Sequence, residues 1–129
     1  PYAAAAAIRS FRNPTVLIAG GRDKHLDYAP LAKAIAESAH VTHIILFGEN
    51  REKIKTAVGR IVKRKLDIKD SDDLKSAVAS AYKTAKKLAS IPPHRSATVL
   101  FSPASASFDM FKSYVERGEI FTTIVQSLK

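Results

Sequence analysis

The chain has 129 residues, 46% of them apolar, with six prolines, five glycines and no cysteine, enough for one ordinary domain with a real core and too few for two. The absence of cysteine excludes disulfides, thiol redox chemistry and Cys-based zinc sites, and fits a reducing cytoplasm. The formal charge of +9 is regional, because residues 51–95 hold 13 of the 21 Lys and Arg but only five of the 12 acids.

The opening "YAAAAAI" is short, has no basic region before it and runs into Arg9 and Arg12, which fits neither a signal peptide nor a membrane span. No membrane association is expected. The first residue is Pro1 and not Met, so the chain is expected to have been cut from something longer.

"TVLIA" (Thr15–Ala19), set between Asn13-Pro14 and Gly20-Gly21, has the β-branched, continuous apolar pattern of a buried strand. "YAPLAKAIAES" follows with Leu31 and Ile35 at helical spacing, Asp27 as its N-cap and Pro30 in the first turn, a position that tolerates proline. "THIILFG" (Thr42–Gly48) is a second apolar strand, and "NREKIKTAVGR" a second helix with Asn50 as cap.

"IVKRKL" (61–66) is a weaker, more exposed strand. A long helix spans about Ser71 to Ala89, with Leu74, Val78, Ala81, Ala85 and Leu88 as its stripe and Asp72 and Asp73 at the positive N-terminus, before Pro92-Pro93 ends it. "ATVLFS" is the last strand. "SFDMFKSYVERG" then forms a helix with Phe108, Phe111 and Val115 inward and Gly118 as its stop, and "EIFTTIVQSL" a short closing helix.

Strands and helices alternating at these lengths imply an α/β fold, a three-layer Rossmann-like domain with a mostly parallel twisted sheet and helices on both faces. In such sheets ligands bind outside the carboxyl ends of the strands. Three loops occupy those ends: "GGRDKH", "GEN" and "SPASAS".

"GGRDKH" (Gly20–His25) lacks the GxGxxG spacing of a dinucleotide site, and GxxxxGK[ST] occurs nowhere in the chain. It is either a tight turn with solvated charges or a site in which Lys24 holds an anion as a point charge. In "SPASAS" (Ser102–Ser107) small side chains leave a strand end open. Ser107 either caps its own helix or, with the free N–H groups beside it, seats a carboxylate or phosphate. No GxSxG elbow is present, which excludes that form of serine nucleophile.

His25, His40, His43 and His94 are scattered and do not share a face as paired metal ligands would, so no metal site is expected. Asp109 and Glu116 share a helix face and read as solvated. The basic 51–95 stretch is either a solvated face or a nucleic-acid surface, although "KRK" (Lys63–Lys65) has no aromatic residue interleaved for base stacking.

Taken together, "VLIAGGRDK" (Val16–Lys24), "LFGEN" (Leu46–Asn50) and "LFSPASASFDMFKSYVERG" (Leu100–Gly118) closely resemble the C-terminal domain of the Mur ligase family, in its D-glutamate-adding branch. The resemblance runs from Pro1 to about Leu128. It implies one domain over 1–129 that helps bind D-glutamate and closes over ATP, with the central ATPase and N-terminal UDP-binding domains outside this chain.

In that family ATP phosphorylates the carboxylate of UDP-N-acetylmuramoyl-L-alanine, and the amine of D-glutamate attacks the acyl phosphate, as part of cytoplasmic peptidoglycan precursor synthesis. By position, Lys24 matches the lysine that holds one D-glutamate carboxylate. Ser107 and the backbone of Phe108 match the second carboxylate seat, and Tyr114 stands where an aromatic ring lies over the substrate. ATP and Mg belong mainly to the missing central domain, so no cofactor is expected in this chain and no catalytic residue is assigned to it. A monomer is expected, inactive in isolation.

Three positions depart from the family's pattern: Ser105 where cysteine is usual, His25 where glycine is common, and "PPHRSA" where a Pro-Gly-Asp turn precedes the last strand. A stand-alone basic module that contacts nucleic acid through residues 51–95 is the alternative from another functional class.

Overall fold

A computed structural model describes residues 5, 8–10, 12–21, 27–93 and 96–101. The strands are β1 (Thr15–Gly20), β2 (Val41–Phe47), β3 (Asp67–Asp70) and β4 (Thr98–Phe101), and the helices α1 (Ala29–Glu37), α2 (Arg51–Ile61) and α3 (Leu74–Ala89). The four strands form one sheet in the order β3-β2-β1-β4, and every pairing is parallel. The two helices expected beyond Phe101, "SFDMFKSYVERG" and "EIFTTIVQSL", lie outside the described residues.

Strand alternation divides the core in two. Leu17, Ala19, Ile44 and Leu46 point to one face and pack with Leu31 and Ile35 of α1 and Ile54 and Val58 of α2. Val16, Ile18, Ile45 and Phe47 point to the other and pack against Leu74, Ala77, Val78 and Ala81 of α3. Central strands buried on both faces read as continuous apolar runs, which is why "TVLIAG" and "IILF" are so legible in the sequence. The result is the expected three-layer α/β arrangement.

The expected strand at "IVKRKL" lies elsewhere. Ile61 ends α2, residues 62–66 form a connection, and the edge strand is "DIKD". Ile54, Val58 and Ile61 follow one another at helical spacing on the buried side of α2, so the helix takes Ile61. Only Ile68 of β3 packs against the core. An edge strand with charged neighbours on both sides of a single apolar residue gives almost no period-2 signal.

Arg64, in the middle of the "KRK" run, turns inward. Its Nη1 donates to the Val41 carbonyl at 2.8 Å, and its Nη2 to the carbonyls of Ile35 and Ser38, each at 2.8 Å. The Ile35 and Ser38 carbonyls also accept the backbone N–H groups of Ser38 and Val41, so the guanidinium adds charged donors to the turn after α1 and ties it to the start of β2. Burial lowers the Arg64 pKa from its ordinary value.

The N-termini differ in detail from their expected caps. Asp27 Oδ1 accepts the Ala29 N–H at 2.9 Å, although Tyr28 occupies the cap position of α1. For α3 the cap is Asp73, whose Oδ1 accepts the Ser76 N–H at 2.7 Å. That hydrogen bond lowers the Asp73 pKa. Its contribution is therefore complete above the unfolded aspartate value of about 3.9 and is lost as pH falls through the folded value. Asp73→Ala is expected to lower stability at pH 7 by about 1 kcal/mol, and urea titrations should find the difference shrinking below about pH 4.

Candidate functional site

Sheet order locates the crevice. The chain steps outward from β1 to β2 to β3, and α3 then carries it back across the sheet to β4 on the opposite side of β1. Strand order reverses between β1 and β4. At such a switch point the two outgoing loops leave in opposite directions and open a crevice at the carboxyl ends of the strands.

Ile18 pairs with Phe101 across this boundary, so both strands end on one edge of the sheet. From Gly21 the chain continues toward Lys24, and from Phe101 toward Ser107 and Phe108. Lys24, Ser107, Phe108 and Tyr114 themselves lie outside the described residues, as does His25.

The described floor of this edge is tightly built. Gly20 and Gly21 both have φ +142°, and a Cβ on Gly20 would stand 1.8 Å from the Phe47 carbonyl oxygen. Glycine is thus required for the ends of β1 and β2 to approach. Gly48, with φ +88°, turns the chain out of β2.

Asn50 then bridges two elements. Its backbone N–H donates to the Gly21 carbonyl at 3.1 Å, and its Nδ2 donates to the Tyr28 hydroxyl at 2.9 Å. Asn50 is 0% exposed and Tyr28 4%, so these are interior contacts and not surface ones. Gly21 precedes residues 22–27 and Tyr28 follows them, so one buried side chain and its own amide fix both ends of the segment that carries Lys24.

Sequence alone assigns Asn50 to capping α2. It occupies that position but makes no side-chain cap bond; its side chain is instead turned so that Nδ2 meets the Tyr28 hydroxyl. The one available signal was the phenol: a tyrosine beside a glycine-rich strand end needs a polar partner when buried.

Around the same edge, Arg51 Nε donates to the Gly48 carbonyl at 3.1 Å and Nη1 to the Ser71 carbonyl at 3.2 Å, joining the loops after β2 and β3. Lys55 Nζ donates to Asp70 Oδ2 at 2.8 Å, with Glu52 Oε1 at 3.5 Å. The Asp70 carboxylate, with Glu52 behind it, raises the Lys55 pKa. Any stability this pair contributes is present below the ordinary lysine value of about 10.4 and is lost as pH rises through the folded value.

The two described histidines do not converge. His40 Nε2 is 3.1 Å from the Ile8 carbonyl oxygen, whereas His43 Nδ1 is 2.8 Å from the Thr42 hydroxyl and Nε2 is 3.6 Å from Asp67. Among the described residues no group of three or more His, Asp or Glu comes together as a metal centre. No described helix is long and apolar enough to cross a membrane.

No family model matches the chain. Curated proteins do. The chain is 42% identical over 122 residues to a UDP-N-acetylmuramoylalanine--D-glutamate ligase of Geotalea uraniireducens, covering 95% of this chain and 24% of that protein. It is 36% identical over 128 residues to the ligase of the same name from Clostridium tetani, at 99% and 26% coverage. With the one from Caldanaerobacter subterraneus subsp. tengcongensis the match is 37% over 129 residues, 100% of this chain and 26% of the relative. The chain spans about a quarter of the length of these relatives. Over essentially all of its own length, then, it is a homologue of one segment of the UDP-N-acetylmuramoylalanine--D-glutamate ligases.

Proposed function

We propose that residues 1–129 form the C-terminal domain of a ligase that joins D-glutamate to UDP-N-acetylmuramoyl-L-alanine in peptidoglycan precursor synthesis, and that this domain supplies the D-glutamate site. The observation that carries the proposal is the strand reversal at β1 and β4. The two loops expected to hold the substrate carboxylates originate side by side where, among the described strands, a crevice is topologically favoured.

There the Lys24 ammonium serves one carboxylate as a point charge. The Ser107 hydroxyl and the Phe108 N–H serve the second as helix-entry donors, and the Tyr114 ring covers the substrate. Two fixed carboxylates leave the amine of D-glutamate as the free nucleophile. ATP, Mg and the UDP-linked acceptor belong to the rest of the ligase, in the cytoplasm, and the isolated chain forms no amide because it has no P-loop to hold the phosphates.

No observation favours a nucleic-acid partner. Within the basic 51–95 stretch, Arg64 is spent on backbone carbonyls and Lys55 on Asp70 and Glu52.

Ser107→Gly in the full-length ligase tests the second seat. Glycine caps a helix at a cost of only a few tenths of a kcal/mol relative to serine but lacks the hydroxyl. The variant is expected to melt almost normally and to show a raised KM for D-glutamate in a phosphate-release assay. Normal stability with normal KM would remove Ser107 from the site.

A further inference from the structure

Away from the β1–β4 edge, the fold leaves a second concavity. On its way from β3 to β4, α3 packs over β1, β2 and β4, so the α3-side face of β3 is left open. The register pairs His43 with Asp67 and Ile45 with Lys69. Asp67 and Lys69 therefore stand on the side of the sheet that carries Ile45, facing α3, while Ile68 points to the opposite core. Between this strand and the helix lies a groove of about 380 Å³, closed on the helix side by Ser80, Thr84 and Lys87.

Apart from His43 and Asp67, its polar side chains are uncommitted. Ser and Thr inside helices commonly turn their hydroxyls back onto the carbonyl four residues earlier, as Thr56 does to Glu52 at 2.8 Å. Ser80 and Thr84, one turn apart on the groove side of α3, make no such bond. Lys69 and Lys87 enter none of the ion pairs among the described residues. The one acid of the groove, Asp67, has its Oδ2 directed at His43 Nε2, 3.6 Å away.

Two ammonium groups without a counter-ion and two hydroxyls without an acceptor thus line one pocket of small-molecule size. Lysine serves phosphate as a point charge and hydroxyls complete its oxygen contacts. The geometry points to a second ligand site on this domain, between β3 and α3, that takes a phosphate group through Lys69, Lys87, Ser80 and Thr84. This site is independent of the D-glutamate crevice and does not rest on it.

Lysine acylation of the full-length protein tests it. With N-hydroxysuccinimidyl acetate and peptide mass spectrometry, inorganic phosphate at millimolar concentration is expected to slow modification of Lys69 and Lys87 severalfold relative to chloride at equal ionic strength. Lys63, Lys65 and Lys83 should react at unchanged rates. Lys69→Gln should abolish the protection of Lys87, and Lys87→Gln that of Lys69, because each holds the same ion.

A parallel arm with ADP separates the sources. Protection at lower concentration than inorganic phosphate identifies a nucleotide phosphate as the ligand, and protection by inorganic phosphate alone identifies the free ion. If chloride protects as well as phosphate, or all five lysines slow together, the effect is screening and the site does not exist. Equal reactivity of Lys69 and Lys87 with and without both ligands overturns the proposal as well.

Discussion

Gly20→Ala is expected to lose about 3 kcal/mol or more of stability, the sum of a strained positive φ and an overpacked contact. A Cβ there would stand 1.8 Å from the Phe47 carbonyl oxygen and 2.8 Å from its carbonyl carbon. Both atoms are backbone, so no side-chain rotation relieves the clash and β1 and β2 must separate at their carboxyl ends. The Asn50–Gly21 hydrogen bond crosses that same gap, so any variant able to fold should also lose it. Urea titration measures the loss. Gly59→Ala, where a new Cβ meets nothing within 4 Å on α2, is the control and should gain up to about 1 kcal/mol. Equal stabilities for Gly20→Ala and wild type would mean that the ends of β1 and β2 are not packed as described.

Arg64→Met should cost about 3 kcal/mol, although a substitution within a run of surface-like charges ordinarily changes stability by less than about 0.5 kcal/mol. The guanidinium donates to three carbonyls, those of Ile35, Ser38 and Val41. A hydrogen bond to a charged group contributes about 1.5 to 3 kcal/mol, and water admitted by the truncated side chain recovers part of that total. Methionine keeps the aliphatic packing and removes only the donors. Lys63→Met and Lys65→Met, its exposed neighbours, should leave the melting temperature nearly unchanged. Three similar melting temperatures would show that the guanidinium adds nothing to the backbone hydrogen bonds that these carbonyls already accept.

These two residues mark where the sequence was and was not legible. Gly20 could be read directly, because two glycines closing an apolar strand signal a close backbone approach. Arg64 could not. Nothing in "KRK" distinguishes a guanidinium that folds back onto backbone carbonyls from two lysines that point to water, since the distinction depends on where α1 ends and β2 begins.

The same limit explains β3. A strand paired on one edge only, with a single half-buried residue, carries less pattern than the helix that precedes it, and Ile61 was claimed by the stronger period of α2. At the candidate site, the chain positions of the three loops were legible from strand ends. The tie between Asn50 and Tyr28 was not, because it joins residues 22 apart through a buried amide and phenol. The proposed seats at Lys24 and Ser107 rest on the resemblance, and the geometry adds only where the segments leading to them begin.

The most direct test of the proposed D-glutamate site is the steady-state kinetics of Lys24→Ala in the full-length ligase, with melting temperature measured on the same preparation. Loss of a charged hydrogen bond to one substrate carboxylate costs about 1.5 to 3 kcal/mol, so KM for D-glutamate should rise roughly ten- to over a hundredfold. KM for ATP and the melting temperature should stay close to wild type if Lys24 serves the substrate and not the fold. A D-glutamate KM that holds constant while the melting temperature falls would make Lys24 a structural residue and place the substrate carboxylate elsewhere.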